Sequence, residues 1–278
     1  MYKTILVHID GGPLQESRLH AAAVLAQSQG AHLIGSTSTG ITWLDVVATG
    51  SMNAADSFID FNGLRKAAAQ RLSDFETQAR RLGMESVESR LADDLPDNSL
   101  EIQSRYADLL VLSQDADTLP PVQRRARKLP DQLALHSPRP ILVVPRAYRG
   151  MPIARRIVVG WDGSTQALHA ITTALPLLKR AEDVTLALIN PDELTGLHGE
   201  EPGADMALYL ARHDVKVDVV LARTSDTTGN ALMALSTSRN AGLIVTGVYG
   251  HSRYREWILG GTTRELLERA PVPLFVAH

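Results

Sequence analysis

The chain has 278 residues, a formal net charge of −3 and a sequence pI near 6.3. That balance offers no basic face for nucleic acid and no polybasic anchor for a membrane, and the absence of cysteine excludes disulfides, thiolate nucleophiles and cysteine-ligated zinc. With 44% hydrophobic and 21% charged residues, the composition is that of a globular protein, and the length suits one large or two ordinary domains.

Met1-Tyr-Lys-Thr-Ile5 lacks the long apolar stretch of a signal peptide, and no apolar run approaches membrane-spanning length, so a cytoplasmic location is expected. Ile5-Leu-Val-His-Ile9 reads as a short strand ending in Asp10-Gly11, and residues Glu16 to Gln29 read as a helix. The stretch from Ile41 to Gly63, carrying Trp43, Met52 and Phe58, is long for a strand-to-helix connection and reads as a lid or binding loop that packs on something. Ala107-Asp-Leu-Leu-Val111 is the next strand signal. After it, Arg124, Arg125, Arg127 and Lys128 form a basic run, either a side-chain anion site or a solvated face. Pro138-Arg-Pro-Ile-Leu-Val-Val144 closes this half, and the pattern breaks between Arg146 and Pro152.

The second half repeats the first. A shift of 152 residues carries Asp10 onto Asp162 and aligns Ile5-Leu-Val-His-Ile-Asp-Gly11 with Ile157-Val-Val-Gly-Trp-Asp-Gly163. Helix Thr165 to Lys179 follows, Ala241-Gly-Leu-Ile-Val245 answers the strand at Ala107, and Pro271-Val-Pro-Leu-Phe-Val-Ala277 answers the strand at Pro138. A unit of this length is a duplicated domain rather than a solenoid repeat. In the second half the expected strands are Arg156–Gly160, Val184–Asn190, Lys216–Ala222, Leu243–Gly247 and Pro273–Ala277. Strands alternating with helices predict a parallel sheet covered on both faces, with ligands outside the carboxyl ends of the strands at a switch point. The segment from Pro191 to Gly203, rich in Glu and Gly, reads as a mobile loop near that crevice.

The densest chemical signal is Thr246-Gly-Val-Tyr-Gly250, followed by Gly260-Gly261-Thr262-Thr263. Glycine lets a backbone N–H approach a ligand closely. Thr262 stands three residues before Glu265, a capping-box spacing that opens a helix from Thr263 to Arg269. A helix dipole supplies only about 0.3–1 kcal/mol. Three or four charge-assisted N–H bonds at about 1.5–3 kcal/mol each could approach the roughly 8 kcal/mol of micromolar binding, before association entropy is counted. The rival reading is that the glycines only turn the chain and that Asp10 and Asp162, each between strand and helix, are caps. Asp162, which shares a repeat with the glycine loop, is the stronger functional candidate. His251, Arg253 and Arg255 follow the glycine turn as loop residues, Trp257 and Ile258 read as packing beneath it, and His20 and His169 lie in first helices. The histidines show no metal-ligand spacing.

The spacing Gly-x2-Gly-x9-Gly at Gly247, Gly250 and Gly260, together with Asp162 and the terminal Pro-Val-Pro-Leu-Phe-Val run, resembles the universal stress protein family over nearly the whole chain. The resemblance implies two tandem α/β Rossmann-like domains, 1–146 and 152–278, each a five-stranded parallel sheet with helices on both faces. It implies an adenine nucleotide, ATP with or without magnesium, in the second domain. Ile189 would flank the adenine and Asp162 would face the ribose. Thr246, Gly247, Tyr249, Gly250, Gly260, Gly261 and Thr262 would line the phosphates. Binders in this family place a hydroxyl residue directly after the third glycine, whereas this chain has Gly261 there. In the first half the matching positions are Ser113-Gln-Asp-Ala116 and Arg127-Lys-Leu-Pro130, without glycine and with Asp115 set to repel phosphate, so loss of nucleotide binding is expected.

The expected function is a regulatory, ATP-binding stress-response protein with protein partners not named by the sequence. The rival reading is a tandem interaction module that binds no nucleotide. Hydrolysis would be slow at most, because the chain lacks the Gly-x4-Gly-Lys-Ser/Thr loop and a lysine, base and nucleophile set. In the family the last strand pairs across a two-fold axis. Here the strands at Pro140–Val144 and Pro273–Ala277 are expected to meet within one chain as a pseudo-dimer, and a homodimer of whole chains remains open.

Overall fold

The computed structural model describes residues 1–42, 44–45, 60–114, 129–194, 201–250 and 261–278. Trp43, Met52, Phe58, Asp115, the basic residues at 124, 125, 127 and 128, the loop residues His251, Arg253, Arg255, Trp257 and Ile258, and Gly260 lie outside the described residues. The chain is α/β, with mostly parallel strands and helices between them. By packing it divides into two compact units, residues 2–111 and residues 112–278, with Met1 grouped with the second.

The first unit begins with β1 (Thr4–His8), α1 (Gln15–Gln29) and β2 (His32–Ser38), and continues with α2 (Phe61–Arg81), β3 (Val87–Ala92), α3 (Pro96–Ser104) and the start of β4 (Leu109–Ser113). Its strands run parallel in the order β3-β2-β1-β4. Strand β1 is a run of bulky apolar residues buried on both faces, which is what a central parallel strand requires. α1 stops where Gly30 takes a left-handed φ of 60°, a conformation open to a residue without Cβ. α2 starts at Asp60, whose carboxylate accepts the Gly63 N–H at 2.8 Å.

The second unit holds α4 (Leu129–His136) and β5 (Ile141–Val144), then β6 (Arg156–Gly160), α5 (Thr165–Leu178), β7 (Asp183–Ile189), α6 (Ala204–Arg212), β8 (Val217–Ala222), α7 (Thr228–Ser238), β9 (Leu243–Gly247), α8 (Gly261–Arg269) and β10 (Leu274–Ala277). The strand order is β5-β10-β9-β6-β7-β8, parallel except for the β5–β10 pair. β10 runs antiparallel to β5, with Phe275 opposite Leu142 and Val276 opposite Ile141, so the final strands of the two repeats do meet within one chain. The second-repeat strands fall within a residue of their sequence expectation. Among the described residues no helix is long and apolar enough to cross a membrane.

The capping-box expectation is corrected. Glu265 does not reach back along α8. One of its carboxylate oxygens accepts the Thr227 hydroxyl at 2.6 Å and the other accepts from Arg269 at 3.0 Å. Thr227 is the N-cap of α7, and its hydroxyl oxygen also accepts the Asn230 N–H. Glu265 therefore places a negative charge at the start of α7, where the helix dipole rewards it, and so joins two helices instead of capping its own.

Candidate functional site

The second repeat assembles its site from the ends of β6, β7 and β9 and the starts of α5 and α8. Past β6 the chain turns at Asp162, whose Oδ1 accepts the Ser164 N–H at 2.9 Å. Ser164 is the N-cap of α5 and accepts the Ala167 N–H at 3.1 Å. Capping is thus done by Ser164, a residue the sequence reading passed over. Asp162 is left exposed, its carboxylate without a cationic partner among the described residues.

The two glycines of the first turn have different reasons to be there. At Gly247 a Cβ would meet the Ala167 backbone nitrogen at 2.3 Å and the Gln166 carbonyl carbon at 2.5 Å, so bare backbone is needed for β9 to butt against the first turn of α5. Gly250 is exposed, its φ is not positive, and among the described residues a Cβ would meet the Gln166 and Ser164 side chains at an ordinary 3.4 Å. Among the described residues, neither packing nor φ asks for glycine at 250. It sits against Ser164, and so in the same corner as Asp162.

Tyr249 between them is bound within the fold. It holds a positive φ of 53°, its N–H donates to the Thr263 hydroxyl at 3.2 Å, and its phenol donates to Asp131 at 3.2 Å. Val248 donates its N–H to the Ala277 carbonyl at 3.0 Å. Of the amides expected to face an anion, that of Tyr249 is therefore committed to Thr263. Gly261 and Thr262, both exposed, occupy the first turn of α8, where helix geometry leaves N–H groups without an intrahelical acceptor. Thr246 donates its hydroxyl to the Gly247 carbonyl at 3.1 Å. Ile189 is buried and ends β7, with Gly160 of β6 paired beside Ala187 two residues earlier.

Directly after Ile189 lies a pocket of about 410 Å³, lined by Asn190, Asp192, Arg223, Thr224 and Ser225 at the ends of β7 and β8. Asn190, at a left-handed φ of 48°, fixes its floor: its side-chain oxygen accepts the Thr224 N–H at 2.9 Å and its side-chain nitrogen donates to the Thr224 carbonyl at 3.0 Å. Arg223 grips Asp192 with two bonds of 2.6 and 3.2 Å and draws that exposed carboxyl below its ordinary range. The sequence offered no signal for this pocket, because its partners lie 31 to 34 residues apart.

The corresponding corner of the first repeat is closed by charge. Where Ala170 stands in the second repeat, the first has Arg18, only 2% exposed. Arg18 donates to Asp10 at 2.6 Å and to the His8 carbonyl at 2.7 Å. Burial raises the Asp10 carboxyl, but Arg18, His8 and the Gly12 N–H together bring it below its ordinary value. Arg71, from α2, lies across Gly11, where a Cβ would come within 2.9 Å of its stem. Asp10 is thus an ion-pair partner, while its counterpart Asp162 has no such partner among the described residues.

Comparison with known proteins agrees with this architecture. Residues 154–278 match the universal stress protein family. Over 140 residues the chain is 32% identical to universal stress proteins of two Mycobacterium tuberculosis strains, H37Rv and CDC 1551, an alignment covering 46% of this chain and 50% of each relative. The chain therefore spans about half the length of these relatives. In fold it is similar to the crystal structure of a universal stress protein from Archaeoglobus fulgidus, with a TM-score of 0.70, 16% identity and 99% of this chain and 95% of the other covered. A putative universal stress protein from Pseudomonas aeruginosa has a TM-score of 0.57 at 16% identity, covering 99% and 93% of the two chains.

Proposed function

Residues 154–278 belong to the universal stress protein family, and from that premise we propose that the second repeat binds one adenine nucleotide, ATP as the leading candidate, in a regulatory role. The observation that carries this reading is Gly250. Among the described residues it is a glycine with no steric or conformational reason of its own, placed in one corner with Asp162, whose carboxylate accepts the Ser164 N–H and has no cationic partner among those residues. A close-approaching ligand supplies the missing reason.

The residues present fit such a ligand in part. Asp162 would accept the ribose hydroxyls, Ile189 would offer an apolar wall to the base, and the Gly250, Gly261 and Thr262 amides would donate to phosphate oxygens. Gly247 and Thr246 support the turn from below. Tyr249 acts as a brace, because its amide is engaged by Thr263. Bound ATP would bring a triphosphate for these amides to hold, and magnesium would accompany those phosphates. The first repeat binds no nucleotide in this reading, since Arg18 occupies the carboxylate that a ribose would need.

Calorimetry with ATP tests the proposal. One site per chain is expected in the native protein, with an at least tenfold loss of affinity in Gly250→Val. Unchanged binding in the variant would remove the loop from the argument, and two equivalent sites would overturn the assignment to the second repeat. Absence of binding to the native chain would leave the interaction-module reading in its place.

A further inference from the structure

Independently of the nucleotide reading, the first unit carries a cation with no counter-charge among the described residues. Arg71 projects from α2 over the carboxyl ends of β1 and β2, where its Nε donates to the Thr37 hydroxyl at 3.2 Å and its Nη2 to the Ser38 carbonyl at 3.0 Å. Both acceptors are neutral. A guanidinium has five N–H donors, so three remain without an acceptor among the described residues. The side chain is half-buried, and no carboxylate among the described residues pairs with it. Asp10, just past the end of β1, is held by Arg18 at 2.6 Å.

The rest of the corner is also electropositive. Arg18 is a second guanidinium, nearly fully buried and paired with Asp10. His8, 8% exposed, has no ring hydrogen bond among the described residues and feels both arginines. The chain then enters α1, a 15-residue helix whose first turn has no side-chain cap, so the positive end of its dipole faces the same loop. A partly desolvated cation of this kind is costly without an anion beside it.

We propose that this corner of the first unit is an oxyanion site for a phosphate group, gripped by the fork of Arg71. The fork suits the planar, two-pronged recognition of a phosphate face. The ligand is a small one, inorganic phosphate or the terminal group of a compact phosphomonoester. A nucleoside is disfavoured because Arg18 holds the carboxylate and the stem of Arg71 covers Gly11. The binding mode is therefore side-chain based, unlike the backbone cradle of the second repeat.

The test is a nuclear magnetic resonance titration of the full chain at pH 7 with inorganic phosphate, and in a parallel arm with glycerol 3-phosphate. It is read at the Arg71 Nε–Hε group and the Gly11 and Ser38 amides, so that phosphate taken up by the second repeat does not enter the signal. Saturable shifts at these groups are expected, with affinity lowered at least tenfold in Arg71→Gln and about threefold or more in Arg71→Lys, which keeps the charge but loses the fork. Arg65→Gln, an exposed cation on the same helix, should leave the curve unchanged. Equal curves in native, Arg71→Gln and Arg71→Lys proteins would overturn the proposal, as would shifts that never saturate or fail to appear. A stronger response to glycerol 3-phosphate than to inorganic phosphate would assign the site to an esterified ligand, and the reverse order to the free ion.

Discussion

His8 stands where the second repeat has Gly160, and that one exchange gives the first repeat a buried ionisable ring. Burial is the main cause that lowers its pKa from 6.5 to about 4. The Arg18 guanidinium adds to the lowering, Asp10 opposes it, and Arg71 from α2 contributes further. The folded chain therefore keeps the ring neutral where the unfolded chain would charge it. Between pH 6.5 and about 4 the unfolded state binds more protons, so the stability His8 contributes is full above pH 6.5 and is lost as pH falls through that window. At roughly 1.36 kcal/mol per pH unit the loss comes to about 3 kcal/mol. Asp10 acts in the same direction, its depressed carboxyl costing stability as pH falls below the ordinary carboxylate range. Thermal melts at pH 7 and pH 4.5 should show a clear drop for the native chain and a smaller one for His8→Gln. Equal drops would place the acid sensitivity elsewhere.

At the scale of elements, the junction of β9 with α5 separates structural from functional glycine. Gly247→Ala drives a Cβ into the backbone of Gln166 and Ala167, which cannot yield as a side chain tip would, so a loss of about 1–3 kcal/mol is expected from overpacking. Gly250→Ala meets only side chains at contact distance and should melt within about 0.5 kcal/mol of the native protein while weakening ATP binding. Chemical denaturation of both variants, paired with ATP titration, checks this. Similar stability losses at the two positions would refute the division. The elements themselves were legible because β1, β6 and β9 are apolar runs buried on both faces, punctuated by Gly, Asp and Pro. The glycine spacing was legible too, but not which glycine serves packing, since that depends on Gln166 and Ala167, about 80 positions away in the chain. The partners of Tyr249 were illegible for the same reason. Asp131 lies 118 positions from it, and no local pattern announces such a contact. Thr262 and Glu265 illustrate the opposite failure, a local pattern outweighed by Thr227 and Arg269.

At the scale of the whole molecule, the packing boundary and the repeat boundary do not coincide. The repeats change over between Arg146 and Pro152, whereas compact packing divides the chain between Val111 and Leu112. The reason lies in Gln114 and residues 129 to 144, which belong to the first repeat by sequence but pack in the second unit. Gln114 donates to the Ala270 carbonyl at 3.0 Å, Asp131 accepts the Tyr249 phenol, and β5 supplies the antiparallel partner of β10. A fragment made by the sequence boundary, 152–278, therefore loses the strand covering β10. It exposes a row of backbone donors and acceptors beside Phe275, which is fully buried in the whole chain. An open strand edge of this kind pairs with another copy. An antiparallel pair has local two-fold symmetry, so a second β10 can take the place of β5 without a change of direction. The fragment is expected to dimerise, with light scattering giving twice its mass and the β10 amides protected from hydrogen exchange in a concentration-dependent way. In the full chain the same amides should be protected at every concentration, because β5 is tethered to them. A monomeric fragment with slow exchange in β10 would show that the strand does not need its partner, and would return the domain boundary to the place where the repeats divide.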